Sequence, residues 1–204
     1  MAAPFHKDLR DTSWDTVFAR QIERAALVPE WLAALGVGTG DRVLDVGCGP
    51  GYVSLRLAER VGPTGVVYAV DRSGAALAYL ARRQREERAA QIRRIAADAA
   101  TLPSLPGCVD AALVTMVLHH ADDPAGLLRN VARLLPPEAG LALAEFHPDG
   151  PGGTGPPCAQ RLSPDRVRSW CRDAGLPPLT YRRQTPEHYL LFARRHAGRA
   201  DDQG

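Results

Sequence analysis

One stretch limits the possible folds more than any other. Val43-Leu44-Asp45-Val46-Gly47-Cys48-Gly49-Pro50-Gly51 is an apolar strand pattern that runs into alternating glycines and then into a helical pattern over residues 52–61. Glycines at such a turn give the backbone access to positive φ and let it approach a ligand closely. A strand, a tight turn and a helix in that order open a β-α-β unit that can hold a nucleotide-type cofactor at the head of the strand. Gly62-Pro63-Thr64-Gly65 stops the helix, and residues 66–70 form a second apolar strand that ends at Asp71. A carboxylate there can accept hydrogen bonds from both hydroxyls of a ribose.

The alternation continues. Residues 73–89 read as a helix, 92–97 as a strand, 102–107 as a Pro/Gly connection and 109–117 as a fourth strand. Asp123-Pro124 opens a helix to Leu135, and residues 140–146 form a fifth strand. Strands apolar along their whole length are expected to be buried on both faces. Residues 148–157 are dense in Gly and Pro and read as a mobile loop; Ser163-Pro164 then opens a helix ending near Gly175. Residues 179–184 and 188–194 read as a terminal hairpin turning at Thr185-Pro186-Glu187. At the other end, residues 1–20 read as a polar arm carrying Phe5, Trp14 and Phe18, followed by one helix over 21–35. The expected organisation is an arm and helix over 1–35, a catalytic domain over 36–195 and a fraying tail over 196–204.

A chain of 204 residues with 45% hydrophobic content can bury a full core. Its net charge of +2 argues against nucleic acid or an anionic membrane as partner, so a small or neutral substrate fits better. The interleaved Arg82, Arg83, Arg85, Glu86, Glu87 and Arg88 read as the solvated face of a helix. Cysteines 48, 108, 158 and 171 show no metal-ligand spacing, so no metal site is expected. No stretch reads as a secretion signal or membrane span, which gives a cytoplasmic expectation.

The segments VLDVGCGPG, VYAVD, the acidic AAD at Asp98 and VDAALVTMVLHH together resemble the class I S-adenosylmethionine-dependent methyltransferases over nearly the whole chain. The resemblance implies an α/β, Rossmann-like three-layer αβα sandwich, with a seven-stranded, mostly parallel sheet and an antiparallel C-terminal hairpin strand. It also implies S-adenosyl-L-methionine as cofactor. Carried over residue by residue, Asp45 with Gly47, Gly49 and Gly51 would hold the methionine moiety, and Asp71 the ribose. Arg72 would lie beside the adenine, Asp98 and Ala99 would bind its edge, and Thr115 would line the methyl region.

Methyl transfer from a sulfonium needs positioning and water exclusion more than acid-base chemistry. A base matters only when the acceptor must lose a proton, and a histidine is the first candidate. His119 and His120 follow the fourth strand at the carboxyl edge of the sheet and are the catalytic candidates. Glu145 and His147 are expected to flank the acceptor with His119, and Trp14 and Phe18 to cover it as a lid. The alternatives are a NAD(P)-dependent oxidoreductase with Asp71 on the ribose, disfavoured by a GxGxG turn in place of GxGxxG, and a non-catalytic cofactor-binding regulator. Neither the acceptor's identity nor the oligomeric state can be read from the residues.

Overall fold

The computed structural model describes Leu9 and residues 12–196. Its centre is one seven-stranded sheet in the order β3-β2-β1-β4-β5-β7-β6. The strands are β1 (Arg42–Val46), β2 (Val66–Asp71), β3 (Ile92–Ala96), β4 (Ala111–Thr115), β5 (Gly140–Phe146), β6 (Pro178–Arg183) and β7 (His188–Arg194). β1 to β5 pair in parallel, and β7 lies antiparallel between β5 and β6. The expected Rossmann-like sandwich with its antiparallel hairpin is what the chain forms.

Side chains alternate across the sheet with period two. Leu44, Val46, Ala112 and Val114 bury against α5 (Pro124–Leu134) and α6 (Pro164–Asp173) on one face. Val43, Ala111 and Leu113 bury on the other face, with α2 (Val28–Leu35), α3 (Tyr52–Val61) and α4 (Gly74–Glu86). Each such fully buried Val or Leu contributes about 1.5–3 kcal/mol. The central strands are buried on both sides as expected. β3 is not: it is the sheet edge, and Arg93 and Arg94 are exposed on it.

The order of strands reverses between β1 and β4, which leaves a crevice beyond their carboxyl ends.

Two expectations from the sequence change. The N-terminal helix begins earlier and is broken: α1 (Trp14–Glu23) starts at a cap where Ser13 Oγ accepts from the Thr16 N–H at 3.2 Å. It gives way to a 3₁₀ turn over Ala25–Leu27 before α2 begins. Pro29 explains the break, because it brings no N–H to continue a helical ladder yet suits the first turn of a new helix. The fourth strand stops at Thr115, because Met116 takes φ 53° and turns the chain into a short 3₁₀ segment over Leu118–His120. Phe5 and the tail beyond His196 lie outside the described residues.

Candidate cofactor and acceptor site

The crevice is a cavity of about 1080 Å³ above β1, β2 and β4. That is at or above the roughly 300–1,000 Å³ of a typical single-ligand pocket, so it has room for two ligands side by side.

One end is built from backbone. Gly47 and Gly49, at φ 65° and 56°, stand on the cavity wall. A Cβ on Gly47 would come within 2.2 Å of Val117 Cγ2, so only glycine lets the turn pass under the end of β4. Gly51, at φ 92°, lies behind the wall, starts α3 and packs against Leu80. Asp71 clamps this turn: its Oδ2 accepts from the Gly49 N–H and its Oδ1 from the Ser73 N–H, both at 2.8 Å. Burial raises its carboxyl above the ordinary aspartate range, and these two N–H groups and Arg72 only partly oppose it. Gln21 on α1 braces the turn from above. Its Nε2 donates to Cys48 O at 3.1 Å, and its Oε1 accepts from the Tyr52 N–H at 3.0 Å.

Arg72, Asp98, Ala99 and Thr115 continue the wall, with Asp98 Oδ1 accepting from the Ala100 N–H at 2.8 Å. Asp45 does not stand on the wall. It is 1% exposed beneath the turn, where Ser54 Oγ donates to its Oδ2 at 2.5 Å. Burial is the main reason its carboxyl is pushed up to about 7. Cys48 is buried beside it, and burial with the nearby Asp45 and Asp71 pushes its thiol well up, which makes it a neutral packing group.

The other end is built from side chains. His119 and His120 line the cavity, with ring centroids 4.2 Å apart. His119 Nδ1 lies 2.8 Å from Glu145 Oε2 in a buried pair. The same carboxylate accepts from the backbone N–H groups of Phe146, at 3.1 Å, and of His119, at 3.4 Å. Burial alone would raise Glu145, but the His119 ring and these N–H groups outweigh it and hold the carboxyl below its ordinary range. A carboxylate at this place is matched to an N–H on Nδ1, and the contact orients the ring in the cavity wall. Met116, strained at positive φ, sets this turn and anchors it through its N–H to Ala144 O at 2.9 Å.

Trp14 lines the cavity as expected, but three other residues expected on the acceptor wall do not. Phe18 is turned into the core against Tyr52 and Tyr79. Glu145 lies beneath His119 rather than beside an acceptor. His147 accepts from the Asp149 N–H at 3.1 Å and packs edge-on against Tyr189, because its place just past β5 points it away from the crevice. Sequence reasoning also missed Phe146, which the fold brings in beside the Gly/Pro loop. Phe146 and residues 152–157 form part of the wall. The Gly/Pro loop, expected to be mobile, is fastened by buried Arg161, which donates to Thr154 O, Pro156 O and His147 O and pairs with Glu187.

A methyltransferase-domain family profile matches residues 43–138. The chain is 35% identical over 146 residues to a 2-phytyl-1,4-naphtoquinone methyltransferase of Nostoc punctiforme, covering 71% of this chain and 61% of that protein. It is 32% identical over 112 residues to a ubiquinone/menaquinone biosynthesis C-methyltransferase of Pseudomonas fluorescens, covering 54% of this chain and 44% of that one. The chain thus spans less than two thirds of the length of these relatives. Among solved structures, its fold is shared with a SAM-dependent methyltransferase from Aquifex aeolicus, at TM-score 0.76 and 23% identity over 82% of this chain and 89% of the other. A 1,6-didemethyltoxoflavin-N1-methyltransferase from Burkholderia thailandensis matches at TM-score 0.69 and 24% identity, over 96% and 93%.

These matches make the chain similar to S-adenosylmethionine-dependent methyltransferases, in sequence over residues 43–138 and in fold over most of its length. They do not favour the oxidoreductase alternative. S-adenosylmethionine is the cofactor of such enzymes, and the turn fits it: Gly47 and Gly49 bring bare backbone to the cavity wall, and Asp71 lines the same cavity.

Proposed function

We propose that this protein transfers a methyl group from S-adenosylmethionine to an oxygen or nitrogen of a small-molecule acceptor, with His119 as the base that takes the acceptor's proton. The observation that carries this reading is the buried contact of His119 Nδ1 with Glu145, which fixes the imidazole in the wall of the cavity. Relatives named for a naphthoquinone and for didemethyltoxoflavin favour a small acceptor.

In this reading Asp71 holds the ribose. Asp98 and the backbone at Ala99 hold the adenine beside Arg72, and the Gly47 and Gly49 turn with Thr115 holds the methionine end. Asp45 and Gly51 support that turn from behind. When bound, the cofactor supplies an electrophilic methyl carbon on a sulfonium whose sulfur keeps the bonding pair. The chain's part is to orient the acceptor against the His119, Phe146 and Trp14 wall, exclude water with the loop fastened by Arg161, and move one proton to Nε2. His119 is then the catalytic residue, Glu145 its positioning residue, and His120 a wall residue stacked on it. Residues 36–195 form the catalytic unit, with the helices before them as its cover. A cytoplasmic setting agrees with four cysteines that are all free, and no helix among the described residues is long and apolar enough to cross a membrane.

Transfer of a labelled methyl group into a small-molecule extract of the native cells tests the reading. Wild type gives a labelled product. His119→Gln lowers its rate by about a hundredfold or more, while its affinity for S-adenosylhomocysteine stays within about twofold. An unchanged rate removes His119 from the chemistry.

A further inference from the structure

Among the described residues, the buried or half-buried arginines pair with a carboxylate except Arg24 and Arg195, and of these two only Arg24 lines the cavity. Arg161 is saturated by three backbone carbonyls and Glu187. Half-buried Arg56, Arg83 and Arg168 pair with Glu87, Glu86 and Asp165. Arg24, half-buried at the C-terminal end of α1, has no ion pair or side-chain hydrogen bond to any described residue. Its guanidinium carbon sits 5.6 Å from the centre of the Phe146 ring, and the residue lines the cavity. Glu23 and Glu145 are near enough for their charges to favour the cation, yet neither comes within ion-pair distance, and Glu145 is committed to His119.

A partly desolvated guanidinium with no carboxylate within ion-pair distance is well placed to take an anion from a ligand. Stacking on a ring occupies the face of the group and leaves its N–H edge free to grip a carboxylate or phosphate in two-point fashion. The placement indicates which ligand brings the anion. Arg24 and His119 lean on the same Phe146 ring, the latter with centroids 5.6 Å apart. Both also line the cavity, so one molecule held in it can face both. The glycine turn is served by Gln21 instead, one helical turn earlier. Arg20 adds a second positive charge to this wall, against Glu23.

We propose that the methyl acceptor carries a carboxylate or phosphate that Arg24 holds, while a separate oxygen or nitrogen of the same molecule faces His119 and receives the methyl group. This rests on the methyltransferase reading and adds the acceptor's charge class to it. The anchored anion is not the atom that is methylated, so the product keeps its negative charge.

The test uses the same labelled transfer into a native-cell extract, with products separated on an anion exchanger at neutral pH. The expected product is retained as an anion. With the acceptor fraction so purified, Arg24→Gln raises KM about ten- to a hundredfold, Arg24→Lys restores part of the loss, and both bind S-adenosylhomocysteine as wild type does. A neutral product overturns the inference and leaves the methyltransferase reading intact. So does a large loss of S-adenosylhomocysteine affinity in Arg24→Gln, which would assign the arginine to the cofactor's own carboxylate. Failure of wild type to label any product overturns the reading itself, and the inference with it.

Discussion

At the cofactor end of the cavity, Gly47 and Gly49 shape a turn that Asp71 and Gln21 hold through backbone N–H and C=O groups. At the acceptor end, the wall consists of His119, Phe146 and Trp14 side chains, set by contacts such as His119 to Glu145 and Arg161 to Glu187 that join distant parts of the chain. The first end is specified by glycines and one carboxylate at the heads of adjacent strands, a solution that suits a constant ligand. The second is specified by side chains, each replaceable without disturbing the sheet, so specificity can change there while the cofactor stays the same.

The largest effect that sharpens this contrast is expected at Gly47. Its φ of 65° and the 2.2 Å approach to Val117 make Gly47→Ala costly by about 1–3 kcal/mol from overpacking alone, with backbone strain in addition. The expected outcome is at least a tenfold loss of S-adenosylhomocysteine affinity by calorimetry. Wild-type affinity in this variant would break the claim that backbone shape makes the cofactor end.

A smaller effect concerns Asp45, which supports the turn from beneath. Its native carboxyl lies near 7, above the roughly 3.9 of an unfolded aspartate. Between these values the native state holds more protons than the unfolded state. This proton's contribution to stability is therefore fully present below about pH 4 and is lost as pH rises through about 7, with a slope of at most about 1.4 kcal/mol per unit. Asp45→Asn should flatten that part of the profile in urea titrations of the cofactor-free protein. An unchanged slope would place the titration elsewhere.

The same contrast explains what could be read from the residues. The β-α-β unit, the sheet with its antiparallel hairpin and the place of Asp71 at the end of β2 depend on local patterns, namely apolar runs, glycine spacing and Ser or Asp caps, which stand in order along the chain. Residues 13–35 misled because Pro29 acts on a helix that hydrophobic spacing alone draws as continuous. Glu145 and His119 were both noticed, but their contact could not be, since only the pairing of β4 with β5 brings one under the other. Arg24, Gln21 and Arg161 carried no local signal: one more arginine or glutamine on a helix or loop looks like solvated surface until tertiary packing turns it inward. His147 shows the reverse, a chemically suggestive residue whose position past the strand turns it away.

The most direct measurement compares S-adenosylhomocysteine binding by calorimetry in Asp71→Asn and Glu145→Gln, with methyl transfer assayed on both. Asp71→Asn is expected to lose affinity at least about tenfold, the size of a lost charged hydrogen bond. Glu145→Gln should bind within about twofold of wild type and yet lose most of its transfer rate. Equal loss of binding in the two variants would contradict the division of the cavity into a cofactor end and an acceptor end.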